Sequence, residues 1–175
     1  MMTDTDTTAR KALPCGSQQG ITKPKVPKFF TLGIIFSASL EHVYLIRRDH
    51  PDSQRGKLNG GGGQVEPGET VGACMAREAV EESGYSGPWT RFGIKEGHTR
   101  GWGAYECHLY YSIMPPSAPE PHTAERQPIE RIATKDVPTL REQMIPPLPL
   151  IIHAALEHIA SEEHERFFVC FTGRS

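Results

Sequence analysis

Between positions 63 and 84 the chain sets five charged side chains and two glycines at strict intervals: Gly63, Glu69, Arg77, Glu78, Glu81, Glu82 and Gly84. At average residue usage such a set arises by chance roughly 10⁻⁹ times per start point, or about 10⁻⁶ over a chain of this size. Coincidence is therefore a poor explanation. Glu78, Glu81 and Glu82 are spaced i, i+3 and i+4, which on a helix gathers three carboxylates within an arc of about 100°. In a partly desolvated cleft each pair would repel by roughly 3 kcal/mol at an effective dielectric of 20. A hard divalent cation removes that penalty, because Mg²⁺ prefers carboxylate oxygens and keeps several waters for a phosphate and a nucleophile. Three glutamates alone would read equally well as a solvated helix face paired with lysine or arginine. Arg77 beside them and the glycine-rich approach in front argue for the cation.

The elements that must position these groups are legible too. Thr70 can cap a helix over 71–83, a stretch without proline that ends at Gly84, a natural residue for the left-handed turn after a helix. Gly72, Ala73, Ala76, Ala79 and Val80 lie away from the glutamates, so they are the predicted packing face, small enough to let the helix lie close to a sheet. The acidic face then points outward or into a cleft. Directly before the box stands Gly60 to Gly63, four glycines in a row. Such a run costs backbone entropy; by itself it would read as a flexible surface loop, but its place before the helix argues that main chain approaches a ligand or metal closely with no Cβ in the way.

These residues resemble the Nudix signature: Gly63, five residues, Glu69, seven residues, Arg77-Glu78, Ala79 in the aliphatic place, Glu81-Glu82, and Gly84. Tyr85 departs from the aliphatic residue usual at the last place, although a tyrosine can still bury its ring. The resemblance implies an α/β fold, a Nudix-type α/β/α sandwich with a mixed sheet, and hydrolysis of a nucleoside diphosphate linked to some group X. It implies Mg²⁺, with Mn²⁺ as an alternative, held by Glu78, Glu81, Glu82 and the Gly63 carbonyl. Arg77 would orient Glu78, Glu69 would support the cluster, and Glu81 or Glu78 would take the proton from water. Glu125, after a proline-rich loop, stands where several relatives add a metal-binding acid, with Glu120 as its fallback.

Length and composition agree with one enzyme domain. The 175 residues allow a single core with a tail, and the 37% hydrophobic content suits a chain folded in water. Residues 1–27, rich in Thr, Lys and Pro, read as a mobile N-terminal arm, and 28–175 as the domain. A net charge of −2 makes no electrostatic case for a nucleic-acid polymer. The four cysteines, Cys15, Cys74, Cys107 and Cys170, form no CxxC pair, which argues against a zinc or disulfide framework and for a reducing cytoplasm. No apolar run approaches a membrane span. A homodimer is an expectation of the resemblance alone.

Two β-branched and apolar runs, at 29–36 and 41–47, read as a strand pair. Further strands are predicted near 89–96, 103–114, 128–134 and 166–171, with a helix at 147–161 and a surface loop at 115–121.

The substrate is read from the approach to the box. Lys57 to Gly63 resembles the Asn-Gly-x-Gly-Gly approach of relatives that clean oxidised purine nucleoside triphosphates such as 8-oxo-dGTP, so Asn59 either faces the base or supports the turn. Arg47, at the end of the second strand, matches the place where a basic residue meets a phosphate. Trp102 and Tyr105 can stack on a base or pack in the core. Against an oxidised purine, the stretch Gln143 to Pro147 lacks the acidic pair that some such relatives use to read the purine edge. The proline of ADP-ribose-cleaving relatives is missing as well, since Arg100 to Trp102 occupies its region. The balance favours a nucleotide substrate that is a triphosphate, cut to monophosphate and pyrophosphate. The competing readings are an ADP-ribose or dinucleoside polyphosphate hydrolase and a nucleotide-sensing domain without catalysis.

Overall fold

The computed structural model describes residues 27–99, 103–124, 126–161 and 169–174. The expected arm, Trp102 and Glu125 therefore lie outside the described residues, apart from Pro27. The strands are β1 (Lys28–Phe36), β2 (His42–Arg47), β3 (Leu58–Asn59), β4 (Thr90–Thr99), β5 (Gly103–Ile113), β6 (Ile129–Ala133) and β7 (Val169–Arg174), and the helices α1 (Val71–Ser83) and α2 (Leu148–Ala160). One sheet runs in the order β3-β2-β1-β5-β4-β7, with β6 also paired to β2. It is mixed: β1 is parallel to β5 and β4 to β7, while the remaining pairs are antiparallel.

Alternation along the strands feeds two layers of core, because successive side chains leave a strand on opposite faces. Ile34, Phe36, Val43, Leu45, Leu109 and Tyr111 pack with Leu148, Ile151, Ile152 and Ala155 of α2. That helix presents i, i+3, i+4 and i+7 to the sheet, and each buried Leu or Ile contributes roughly 1.5–3 kcal/mol by area. On the other face Met75 and Ala79 of α1 meet Tyr110 and Trp89. A helix on each side of the sheet gives the α/β/α sandwich.

The expected packing face of α1 is corrected. Cys74, Met75, Ala79, Glu82 and Ser83 are the buried residues, whereas Gly72, Ala73, Ala76 and Val80 are exposed. The close approach comes from the sheet instead, since a Cβ on Gly33 would stand 2.6 Å from Met75 Cε and 2.7 Å from Trp89. One of the glutamates, Glu82, therefore belongs to the packed stripe and does not oppose it. The helix ends are as read: Thr70 Oγ1 accepts from Ala73 N at 3.2 Å, and Gly84 closes the helix at φ 65 with its N–H on the Val80 carbonyl.

The glycine run has a structural cause. Leu58 and Asn59 pair with Arg47 and Ile46 of β2, after which the chain changes partner and runs against β1. Gly33 N donates to the Gly61 carbonyl at 2.7 Å, Thr31 N to the Gly63 carbonyl at 2.9 Å, and Val65 N to the Phe29 carbonyl at 2.9 Å. The pairing of β1 with β2 is confined to Ile35 with Tyr44 and Phe36 with Val43, so the glycines take up the edge of β1 beyond it. Gly62 sits at φ +132, where its Cβ would also strike the Thr31 carbonyl oxygen at 2.3 Å. Only glycine fits there.

The loop after β5 closes the C-terminal end of α1. His122 N and Ala124 N donate to the carbonyls of Ser83 and Glu82, which the helix itself leaves without partners, and the Tyr44 hydroxyl donates to Glu120 Oε1 at 2.8 Å. The last strand runs three residues past its predicted end, to Arg174, and β4 continues to Thr99 because β5 pairs with it as far as Gly103.

Candidate active site

The helix and the glycine run bring four of the predicted acids to one place, where two arginines hold them. Arg77 grips Glu69 with both sides of its guanidinium, Nε to Oε1 at 3.0 Å and Nη2 to Oε2 at 3.1 Å. Its remaining nitrogen, Nη1, reaches Glu78 Oε1 at 2.8 Å and Glu81 Oε2 at 3.0 Å. Planar, bidentate pairing of this kind fixes orientation as well as charge. Glu69 also accepts the Glu66 N–H at 3.1 Å, and the Arg77 guanidinium, followed by that amide, holds its carboxyl below the usual range. Arg77 itself is driven further toward its charged form by Glu69 and then Glu78.

Glu82 lies deeper. Its Oε1 accepts from Arg48 Nη1 at 2.7 Å and its Oε2 from the Gly62 amide at 2.7 Å. Burial pushes its carboxyl above the usual range, opposed by the Arg48 charge and the Gly62 N–H. Arg48 also donates to the Gly60 carbonyl at 2.9 Å, while its Nε is buried without a partner among the described residues.

The structure gives three predicted residues other surroundings. The Gly63 carbonyl faces β1, accepting from Thr31 N at 2.9 Å with the Cys74 thiol 3.9 Å away. Arg47 is not brought to the acids: it pairs with Glu130 through Nε, and through Nη2 at 2.8 Å, and donates to the Gly56 carbonyl at 2.7 Å. Glu120, the fallback acid, is occupied by Tyr44 and stands 3.8 Å from Arg131. The residue that reaches the cluster is Arg48, which sequence reasoning missed. Its signal was parity, since Arg48 follows Tyr44 and Ile46 on the α1 face, whereas Arg47 follows Val43 and Leu45 on the other.

Beside the glycine run opens a cavity of about 440 Å³. Arg48, Asn59, Gly62, Gly63 and Gln64 form one wall, Lys95, Tyr105 and Cys107 of β4 and β5 another, and Ile145 to Leu148 with Ile151 the far side. Lys95 Nζ lies 5.5 Å from the centre of the Tyr105 ring, and burial raises the Cys107 thiol to about 12, which keeps it protonated. Tyr105 is thus a cavity residue and not part of the core. The size and the mix of apolar walls with a few polar groups suit a nucleoside-sized ligand.

Among the described residues no three acidic side chains already converge as a coordination set, because Arg77 and Arg48 stand between them. The groups nevertheless fit a hard cation. They are carboxylate oxygens, the donor type such an ion prefers, and glycine lets main chain lie against them: a Cβ on Gly63 would meet Glu78 Oε1 at 2.3 Å, and on Gly61 Glu82 Oε2 at 3.0 Å.

The fold and this site define a class that comparison with known proteins makes specific. A family model described as the NUDIX domain matches residues 29–149. The chain belongs to the Nudix family, and its reaction class is that of a pyrophosphohydrolase. The mutator protein MutT of Bacillus halodurans superposes with a TM-score of 0.62 at 19% identity, covering 84% of this chain and 89% of its own. The NUDIX domain of Shewanella oneidensis NrtR, complexed with ADP ribose, gives 0.64 at 16% identity over 79% of this chain and 94% of its own. A bifunctional NMN adenylyltransferase/ADP ribose pyrophosphatase from Francisella tularensis, complexed with AMP and a manganese ion, gives 0.60 at 18% over 77% of this chain and 43% of its own. No curated protein matches the sequence. Among the described residues no helix is long and apolar enough to cross a membrane.

Proposed function

We propose that the protein is a divalent-metal-dependent hydrolase of nucleoside triphosphates, purine forms with an oxidised base among them, releasing a monophosphate and pyrophosphate. The observation that carries this reading is the juxtaposition of a nucleoside-sized cavity, with Asn59 and Arg48 in its wall, and the Gly61 to Gly63 segment that abuts Glu78 and Glu82. A base in the cavity would lay its phosphates along that segment toward the carboxylates.

Glu78, Glu81 and Glu82 would hold Mg²⁺, or Mn²⁺ in its place, and the ion when bound supplies charge neutralisation on the phosphates and acidifies water. Glu81 has the freest carboxylate of the three, exposed by 49% and tied by one Arg77 hydrogen bond, so it is assigned as the base. It takes a proton from water, whose oxygen attacks phosphorus as the P–O bond to the leaving phosphate breaks. Arg77, anchored on Glu69, sets the direction of Glu78 and Glu81. Asn59, half-buried in β3 against Ile46, offers one donor and one acceptor side to the base edge.

The test is product identification with Mg²⁺ over the dNTPs, 8-oxo-dGTP, ADP-ribose, diadenosine polyphosphates and NADH. Pyrophosphate plus monophosphate from a triphosphate supports the assignment. Cleavage of two-headed substrates alone moves the substrate to dinucleotides, and no cleavage of any moves the domain to nucleotide sensing.

A further inference from the structure

Arg48 and Arg77 differ in what holds them. Arg77 keeps two hydrogen bonds to Glu69 whatever Glu78 and Glu81 do, so it can release them without losing its place. Among the described residues Arg48 has no second carboxylate: one nitrogen is on Glu82, one on the Gly60 carbonyl, and the buried Nε meets no partner there. The Arg48–Glu82 pair is also secluded, with side-chain exposures of 11% and 9%, so water screens it little. Both Glu82 oxygens are in use, Oε1 by Arg48 and Oε2 by Gly62.

A divalent ion bonds a carboxylate oxygen at about 2.0–2.1 Å. An ion on Oε1 would stand close to the Arg48 guanidinium, whose nitrogen is 2.7 Å from that oxygen, so two positive charges would repel across a largely buried pair. On the reading that these glutamates hold a divalent ion, we infer that Arg48 is the internal counter-ion the ion must displace from Glu82, and that its displaced guanidinium turns into the cavity whose wall it forms. Cation binding and the arrival of a positive charge beside the substrate are then one step. By linkage, an anionic ligand that draws Arg48 into the cavity tightens the cation by the same factor.

The experiment measures Mn²⁺ binding by electron paramagnetic resonance of the free ion, on the full chain without substrate, for the wild type, Arg48→Met and Arg48→Lys. Met removes the competitor, so its affinity for Mn²⁺ rises about tenfold, within the range of ordinary coupling, and Lys, without the planar fork, falls between. Equal or weaker binding by Arg48→Met overturns the inference. Should Arg48→Met fail to fold, the wild-type protein decides: Mg²⁺ titration followed by arginine Nε–H NMR shifts one buried resonance, which Arg48→Lys removes. A resonance that stays still while Mn²⁺ binds overturns it equally. Absence of Mn²⁺ binding by the wild type and by Arg48→Lys overturns the cation reading itself, which separates the two failures.

Discussion

A β-carbon on Gly63 would lie 2.3 Å from Glu78 Oε1 and 2.4 Å from its Cδ, so the glycine and the glutamate occupy adjoining space with nothing to spare. Gly63→Ala must push Glu78 away or break the Thr31 hydrogen bond to the Gly63 carbonyl. The expected result is a loss of about 1–3 kcal/mol in urea unfolding from overpacking. A fall of about 10²-fold in kcat/KM accompanies it, as for a catalytic group misplaced by an ångström.

Glu81 is half exposed, and its removal should leave the fold alone. Glu81→Gln is expected to unfold within about 0.5 kcal/mol of the wild type and to lose roughly 10²- to 10⁴-fold in turnover. Activity measured beside circular dichroism checks this, and retained turnover would remove Glu81 from the reaction.

The bidentate hold of Arg77 on Glu69 predicts non-additivity. Arg77→Lys and Glu69→Gln should each lower kcat/KM by about 10- to 100-fold, as for partners that orient metal ligands. The double variant should be no worse than the poorer single, because both remove the same support. A fully multiplicative double-mutant cycle would mean that the two act separately.

Arg47 and Glu130 form a strut between β2 and β6, and Arg47 holds the Glu130 carboxyl below the usual range. A lowered folded pKa gives stability that is present above the unfolded value of about 4.3 and is lost as pH falls through the folded value. Glu130→Gln should therefore flatten the acid side of the stability profile, by about 0–1 kcal/mol for so exposed a pair, with turnover at neutral pH unchanged. Turnover reduced in Arg47→Met but intact in Glu130→Gln would return Arg47 to the phosphate.

Gly33 under Met75 offers a packing test. Gly33→Ala should destabilise by about 1–3 kcal/mol. Pairing it with Met75→Ala, which opens the space a methyl group needs, should recover part of the loss, as read in thermal unfolding.

What the sequence by itself determined is local. The span of α1, its Thr70 and Gly84 ends, and the grouping of Glu78 with Glu81 and Glu82 on one arc all follow from interactions within a few residues. Spacing encodes those directly. Tertiary structure decided which way each face turned. Period-two alternation separates Arg47 from Arg48 but does not say which side of the sheet α1 covers, so the arginine on Glu82 was not legible. In the same way the small residues of α1 indicated close packing, while the space was left by Gly33, some forty positions away in β1. The cavity joins Asn59, Lys95, Tyr105 and the 145–148 turn, which meet only once β2, β4 and β5 are in register and α2 lies against them. Contacts between distant segments depend on register and on the covering of faces, and neither is written in any one stretch of chain.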